Sequence, residues 1–144
     1  MTDPAPAIDP RANVADIAVF DSPDLPAPLG HYSHVAVHAG LAYISGQLPL
    51  SREGVTLVDQ PFEVQVRQVL SNLDHCLKTI GIDRARLVQV MVHVTDIDEW
   101  PTFDALYREW IGDHRPARAV AGANALHYGA AVEVHAVAAV NPAT

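Results

Sequence analysis

Residues 62–80 read FEVQVRQVLSNLDHCLKTI, and this stretch decides the fold because its apolar side chains recur every three or four positions. Such spacing predicts an amphipathic helix from Phe62 to Ile80. Pro61 stands in the first turn, where a missing N–H costs little, and Gly81 stands where a C-terminal cap belongs. One face of this helix must therefore pack against another layer of structure.

Extended segments with alternating apolar side chains lie on both sides of this helix in the sequence. Before it, His31–His38 and Leu41–Leu48 are predicted strands, and the two residues Ala39-Gly40 between them suit a tight hairpin. After it, Leu87–Thr95 is a third predicted strand. Its valines are expected to share one face: Val88, Val90, Val92 and Val94.

A shorter helix and two further strands complete the predicted elements. The helix runs from about Pro101 to Ile111 and ends at Gly112. The strands are Ala117–Ala123 and the long, regularly alternating Ala130–Val140. The order β-β-α-β-α-β-β predicts an α/β sandwich of the α+β kind, in which two helices cover one face of one sheet.

The second face of this sheet is also predicted to be partly apolar. Leu87 and Met91 lie on it in one strand, and Ala131, Val137 and Ala139 lie on it in the last strand. Two helices leave that face uncovered, and an exposed apolar face must find a partner. The sequence therefore predicts an oligomer that packs these faces together.

The chain has 144 residues, the length of one domain, and six of its eleven prolines fall within residues 1–28. That segment lacks a sustained apolar period, apart from a short predicted strand at Ile17–Phe20. Residues 1–28 are therefore predicted to form a partly ordered arm, and residues 29–144 the domain.

Charge and cysteine content exclude several classes of protein. Nine basic and seventeen acidic residues give a formal charge of −8, which repels phosphate backbones and argues against a nucleic-acid partner. The single cysteine, Cys76, cannot form an intrachain disulfide and is predicted to be a small buried hydrophobe. No signal peptide and no apolar run of about 18 residues is visible, so a cytoplasmic protein without a membrane partner is expected.

Two charged residues interrupt otherwise apolar strands. Arg118 begins a strand of small apolar residues, and its planar guanidinium suits a carboxylate in bidentate geometry. Glu133 shares a strand face with His135, and a carboxylate in apolar surroundings can act as a general base. The alternatives are an edge arginine in water or paired with a structural acid, and a glutamate on a solvated outer face.

Eight histidines raise the question of a metal site, but their spacing does not favour one. His34 and His38 share a strand face about 13 Å apart at the rise of an extended chain, too far for one zinc ion. Neither an H-E-x-x-H motif, a G-x-S-x-G elbow nor a phosphate-binding glycine loop occurs. Gly46 allows close approach of a ligand to the backbone, or marks a bulge.

Five segments, in order and at normal spacing over residues 30–140, resemble motifs of the RidA/YjgF family, formerly called L-PSP endoribonuclease. They are YISGQLP (43–49), QVRQVLSNL (65–73), VHVTDIDEW (92–100), RPAR (115–118) and VEVHAVA (132–138). The resemblance implies a chorismate-mutase-like fold with one mixed sheet, a homotrimer, and ligand clefts between subunits.

The resemblance also implies residue roles. Arg118 matches the arginine that holds the substrate carboxylate, and Glu133 matches the glutamate that positions or activates water. Tyr32 and Ser45, with Gly46 beside it, match residues that line the cleft from the neighbouring chain. Asp104 stands where many active members have Asn, and Val120 where many bacterial members have Cys; both are expected to line the cleft too. Two further departures are His31 and the loop Leu126–Gly129.

The activity implied is hydrolysis of 2-aminoacrylate-type enamines, or their 2-imino acid tautomers, to 2-oxo acids and ammonia, with no metal or organic cofactor. The altered loop leaves open a specialised pathway deaminase with a 2-aminomuconate-like or pyrimidine-degradation substrate. A third alternative is a non-catalytic trimer that binds small carboxylates. The ribonuclease activity in the older family name is disfavoured by the charge of −8 and the lack of a basic stripe.

Overall fold

The computed structural model describes residues 16–140, which form one six-stranded sheet and two α-helices. In chain order the elements are β1 (Ala18–Phe20), β2 (Val35–His38), β3 (Leu41–Gln47), α1 (Phe62–Thr79), β4 (Leu87–Val94), α2 (Trp100–Ile111), β5 (Ala117–Gly122) and β6 (Val132–Ala139). The strands lie in the order β1-β2-β3-β6-β4-β5. Only the pair β4 and β5 is parallel, so the sheet is mixed. The predicted sandwich is confirmed.

The core lies between the sheet and the two helices. From α1 it takes the apolar stripe that the sequence predicted, including Val66, Val69 and Leu73, each fully buried. From α2 it takes Phe103, the largest fully buried side chain. Cys76 is also completely buried, and burial raises the pKa of its thiol to about 12, which confirms the prediction of a small hydrophobe.

The hairpin between β2 and β3 is confirmed, although β2 is shorter than predicted. Ala39 and Gly40 both have positive φ, 52° and 80°, as a two-residue hairpin turn requires. The prediction of a strand from His31 is wrong because the backbone N–H of His34 is bonded outside the sheet, to Asp21 Oδ1 at 3.0 Å. The His34 ring is itself buried, and its Nδ1 accepts the Ser22 N–H at 2.9 Å.

The start of β4 departs from strict alternation. Leu87 was predicted on the second face of the sheet and Val88 in the core, yet Leu87 is 2% exposed and Val88 is 46% exposed. The cause is a register shift between Leu87 and Gln89 in the pairing of β4 with β6. Such a bulge adds one residue to a strand and reverses the direction of the side chains before it. Beyond the bulge, alternation holds as predicted.

Residues 1–15 of the predicted arm lie outside the described residues. The arm over residues 1–28 therefore stays a prediction. Its short predicted strand is found as β1, which pairs with β2 at the edge of the sheet. Farther along, Asp24 lies 3.6 Å from His75 and 3.8 Å from Lys78, both on α1. Neither α1 nor α2 combines the length and the hydropathy that a membrane-spanning helix needs.

Candidate functional site

An open cleft of about 710 Å³ lies where the C-terminal half of α2 meets the start of β5. Its volume is in the range typical of small-molecule sites. Arg118 of β5 and Asp104 of α2 both line it. Arg118 pairs in register with the buried Val90, so the side chains of Arg118 and Val90 point to the helix-covered side of the sheet. The Arg118 side chain therefore reaches Asp104 on α2.

The guanidinium of Arg118 is held from two directions. Its Nη1 lies 2.9 Å from Asp104 Oδ1, and the two side chains are only 21% and 26% exposed. Its central carbon lies 4.7 Å from the centre of the Tyr107 ring and 5.9 Å from that of Phe103. A guanidinium packed on aromatic faces and bonded at one edge has little rotational freedom, and its remaining N–H donors suit a ligand oxygen.

Asp104 is bonded to a second arginine as well. Its Oδ2 accepts a hydrogen bond from Arg108 Nη2 at 3.2 Å, one helical turn further along α2. Its carboxylate therefore bridges two guanidiniums at the cleft. Val120, the other predicted cleft residue of β5, points to the same side of the sheet as Arg118 and packs against the core.

Tyr107 lies beneath Arg118 and is 6% exposed. Burial raises the pKa of its phenol, Arg118 opposes that shift, and Asp104 adds to it. Within residues 16–140 its hydroxyl has no hydrogen-bond partner. Neither Tyr107 nor Arg108 was among the residues predicted to line the cleft. The spacing of Asp104 and Arg108, four apart on a helix, was the available signal.

Glu133 lies on the opposite face of the sheet from Arg118. It pairs in register with His93 of β4, whereas Arg118 is in register with a core residue of the same strand. A register shift in β3 after Ile44 brings Gly46 against the Glu133 side chain. A Cβ at Gly46 would come within 2.6 Å of Glu133 Oε1, so any larger residue there would displace the carboxylate from its present position.

Ser45 and Tyr32 lie on the Gly46 side of the molecule. The Ser45 hydroxyl donates to the backbone carbonyl of Ser33 at 2.6 Å, which connects the bulge of β3 to the segment that carries Tyr32. Tyr32 is 51% exposed and lines a small crevice together with Gly46. The structure thus groups Tyr32, Ser45, Gly46 and Glu133 in one region of the chain.

The predicted site residues therefore form two groups, which the sheet separates within one chain. The cation-bearing group contains Arg118 and Asp104 on the helix side; Val120 lies on the same side of the sheet but is not among the residues that line the cleft. The other group contains Glu133, Gly46 and their neighbours, with Glu133 on the open side. A substrate of a few heavy atoms cannot contact Arg118 and Glu133 of the same chain across the sheet.

Two histidines accompany Glu133 on the open face. The rings of His93 and His135 stack with centroids 5.7 Å apart and planes 9° apart. Burial, and then the His93 imidazole, lower the pKa of His135, while Glu133 opposes the shift. Among residues 16–140, no three His, Cys, Asp or Glu side chains converge as a metal site would need.

The lowered pKa of His135 predicts that the native state favours its neutral form. Below the ordinary histidine pKa of about 6.5 the unfolded chain then binds more protons, so the stability that His135 contributes is lost as the pH falls. Urea unfolding between pH 7.5 and pH 5 should show a smaller loss of unfolding free energy for His135→Gln than for the wild type. Equal losses in both proteins would contradict this prediction.

Comparison with known proteins gives one consistent result. The family model described as Endoribonuclease L-PSP matches residues 23–140. A RutC family protein of Aquifex aeolicus is 34% identical over 119 residues, covering 81% of this chain and 94% of that protein. The 2-iminobutanoate/2-iminopropanoate deaminase of Bos taurus is 31% identical over 126 residues, covering 88% and 92%. The crystal structure of YyfA from Yersinia pestis, a Rid family protein of unknown function, superposes with a TM-score of 0.82 at 30% identity, covering 86% and 99%.

Proposed function

The chain belongs to the RidA/YjgF family, and from this premise we propose that it is a deaminase of 2-imino acids and their 2-aminoacrylate-type enamine tautomers. Its products are the 2-oxo acid and ammonia. Relatives from cattle and humans, 31% and 30% identical, carry the name 2-iminobutanoate/2-iminopropanoate deaminase. That similarity supports imine deamination as the type of reaction, and the choice of substrate is part of the proposal.

The observation that carries the proposal is the guanidinium of Arg118 in its cleft. It is largely buried, oriented by Asp104 and by the ring of Tyr107, and it lines an open cavity. A fixed guanidinium is the side chain best suited to orient a small carboxylate in bidentate geometry. Orientation of a substrate against the groups that react with it can supply several kcal/mol of the rate acceleration.

The proposed site is completed by a second chain. Because Arg118 and Glu133 of one chain lie on opposite faces of the sheet, the Glu133 that serves a given Arg118 belongs to another subunit. The open face carries Tyr43 at 50% exposure with Val137 directly across from it, and such a face favours a protein partner. We place these faces inside a homotrimer with clefts between its subunits, as in the family resemblance.

In the proposed mechanism the substrate enters with its carboxylate on Arg118. Glu133 holds a water molecule, whose oxygen bonds to the imine carbon while the carboxylate takes one water proton. The C=N electron pair moves to nitrogen, which takes the proton back from Glu133, and the product is a carbinolamine. The hydroxyl proton of this intermediate then moves to nitrogen as the C–N bond breaks, so that nitrogen leaves as ammonia and the carbinol oxygen becomes the carbonyl of the 2-oxo acid. One water is consumed for each ammonia released.

The test is pyruvate and ammonia release from freshly generated 2-aminoacrylate, measured against its spontaneous hydrolysis. The proposal predicts clear acceleration by the wild-type protein. A larger enamine is the second candidate substrate, because the loop Leu126–Gly129 departs from the family pattern. No acceleration on 2-aminoacrylate with acceleration on a larger enamine would establish the specialised deaminase. Carboxylate binding without any turnover would refute the deaminase and leave a binding protein.

A further inference from the structure

Asp104 places a negative charge at the position where a substrate carboxylate is proposed to bind. Its Oδ1 lies 2.9 Å from Arg118 Nη1, and its carboxylate is 26% exposed within the same cleft. Arg108, its second partner, is 80% exposed on the helix surface. Arg118 thus already has an acidic partner at one of its nitrogens before any ligand arrives.

This arrangement is poorly suited to a ligand that is only an anion. A carboxylate on Arg118 comes close to the Asp104 carboxylate, and like charges repel strongly where solvent is partly excluded. A 2-imino acid with a protonated nitrogen is different, because its carboxylate and its C=NH₂⁺ group sit on adjacent carbons. Such a ligand presents a negative and a positive charge side by side, which complements the positive and negative charges of Arg118 and Asp104.

We propose that Asp104 accepts a hydrogen bond from the protonated imine nitrogen while Arg118 holds the carboxylate. This inference rests on the proposed function and specifies the substrate form as the zwitterionic iminium. A protonated imine carbon is the stronger electrophile. Water bonds to that carbon, Glu133 takes one proton, and the C=N pair moves to nitrogen. Glu133 then returns its proton to the carbinolamine nitrogen, which also takes the hydroxyl proton and leaves as ammonium, while the oxygen becomes the carbonyl of the 2-oxo acid. The iminium plus one water therefore balances the products.

The proposal predicts opposite effects of Asp104→Asn on two stable ligands that can be measured without turnover. Alanine carries an ammonium beside its carboxylate and mimics the iminium; pyruvate, the reaction product, carries only the anion. In the variant, alanine should bind about 10-fold more weakly, because the asparagine oxygen still accepts the hydrogen bond but no longer carries the charge that strengthens it. Pyruvate should bind severalfold more tightly, because a repulsive charge has been removed. Titration calorimetry with both ligands measures this difference.

The matched control is Glu109→Gln, which removes one negative charge from the same helix. Glu109 is 70% exposed and lies 3.9 Å from Arg67 on α1, and it does not line the cleft. Both ligands should bind this control as they bind the wild type. Because an asparagine side chain is nearly the same size as aspartate, circular dichroism and sedimentation should show an intact assembly for Asp104→Asn.

Affinities for alanine and pyruvate that change in the same direction, or do not change, would overturn the inference, since a merely structural role of Asp104 weakens both. Opposite changes together with a fall in deaminase turnover support both proposals. Opposite changes in a protein that accelerates no imine hydrolysis would refute the proposed function. Recognition of the paired charges by Arg118 and Asp104 would still stand in that case.

Discussion

Glu133→Gln is expected to lower kcat for imine hydrolysis by about 10²- to 10⁴-fold, the usual contribution of a positioned general base. The amide retains the size of the carboxylate but cannot take the proton of the attacking water. Because the side chain is half-buried against Gly46, the substitution changes little of the surface and should leave the fold intact. Initial rates of 2-oxo acid release at saturating substrate give kcat directly.

Glu63→Gln is the control for this variant, because Glu63 is an exposed carboxylate in the first turn of α1. It should retain wild-type rates. In Glu133→Gln, KM should change much less than kcat, since the proposed carboxylate contact belongs to Arg118. A variant with kcat within a factor of about three of wild type would show that Glu133 is not the base.

Phe103→Ala is expected to reduce the free energy of unfolding by about 3–5 kcal/mol, the range for deleting a fully buried aromatic side chain. Phe103 has no exposed surface, and its ring stacks on that of Tyr107 with centroids 5.7 Å apart. Both rings support the guanidinium of Arg118, so the cavity should also loosen that anchor and raise KM. Urea unfolding measures the first effect and steady-state kinetics the second.

Leu106→Ala tests whether the effect is specific to the buried face of α2. Leu106 packs against the core but is only partly buried, so its truncation should cost clearly less than that of Phe103. Similar losses for the two variants would contradict the assignment of Phe103 as the central contact between α2 and the sheet.

The spacing of apolar residues and the flanking proline and glycine residues predicted the helices well. The helix of residues 62–80 differs from α1 only in its last residue, because three- and four-residue apolar spacing and the flanking Pro61 and Gly81 act locally. Strand bounds were less accurate. The shift at Leu87 depends on pairing with β6, and the loss of residues 31–34 from β2 depends on the bond to Asp21. Neither contact is visible in a local pattern.

In the candidate site, too, local patterns predicted some features, whereas others depend on contacts between distant segments. Alternation correctly placed Glu133 and His135 on one face. The charge of Arg118 in an apolar strand singled that residue out, and the family resemblance added Asp104. The ion pair between those last two is a contact between a helix and an edge strand, which no periodicity in either segment encodes. The register of β4 with its neighbours β5 and β6 places Arg118 and Glu133 on opposite sides of the sheet.

Mixing two inactive variants tests the central claim most directly, namely that one chain supplies Arg118 and another supplies Glu133 to each imine-hydrolysing site. Arg118→Ala and Glu133→Gln are each assayed alone, then unfolded together and refolded as a one-to-one mixture. In a cyclic assembly with a site at each interface, random mixing restores both side chains to about a quarter of the sites. We therefore expect the mixture to recover about a quarter of the wild-type rate of ammonia release, since each intact site acts alone. A mixture as inactive as its two components would contradict a site shared between chains.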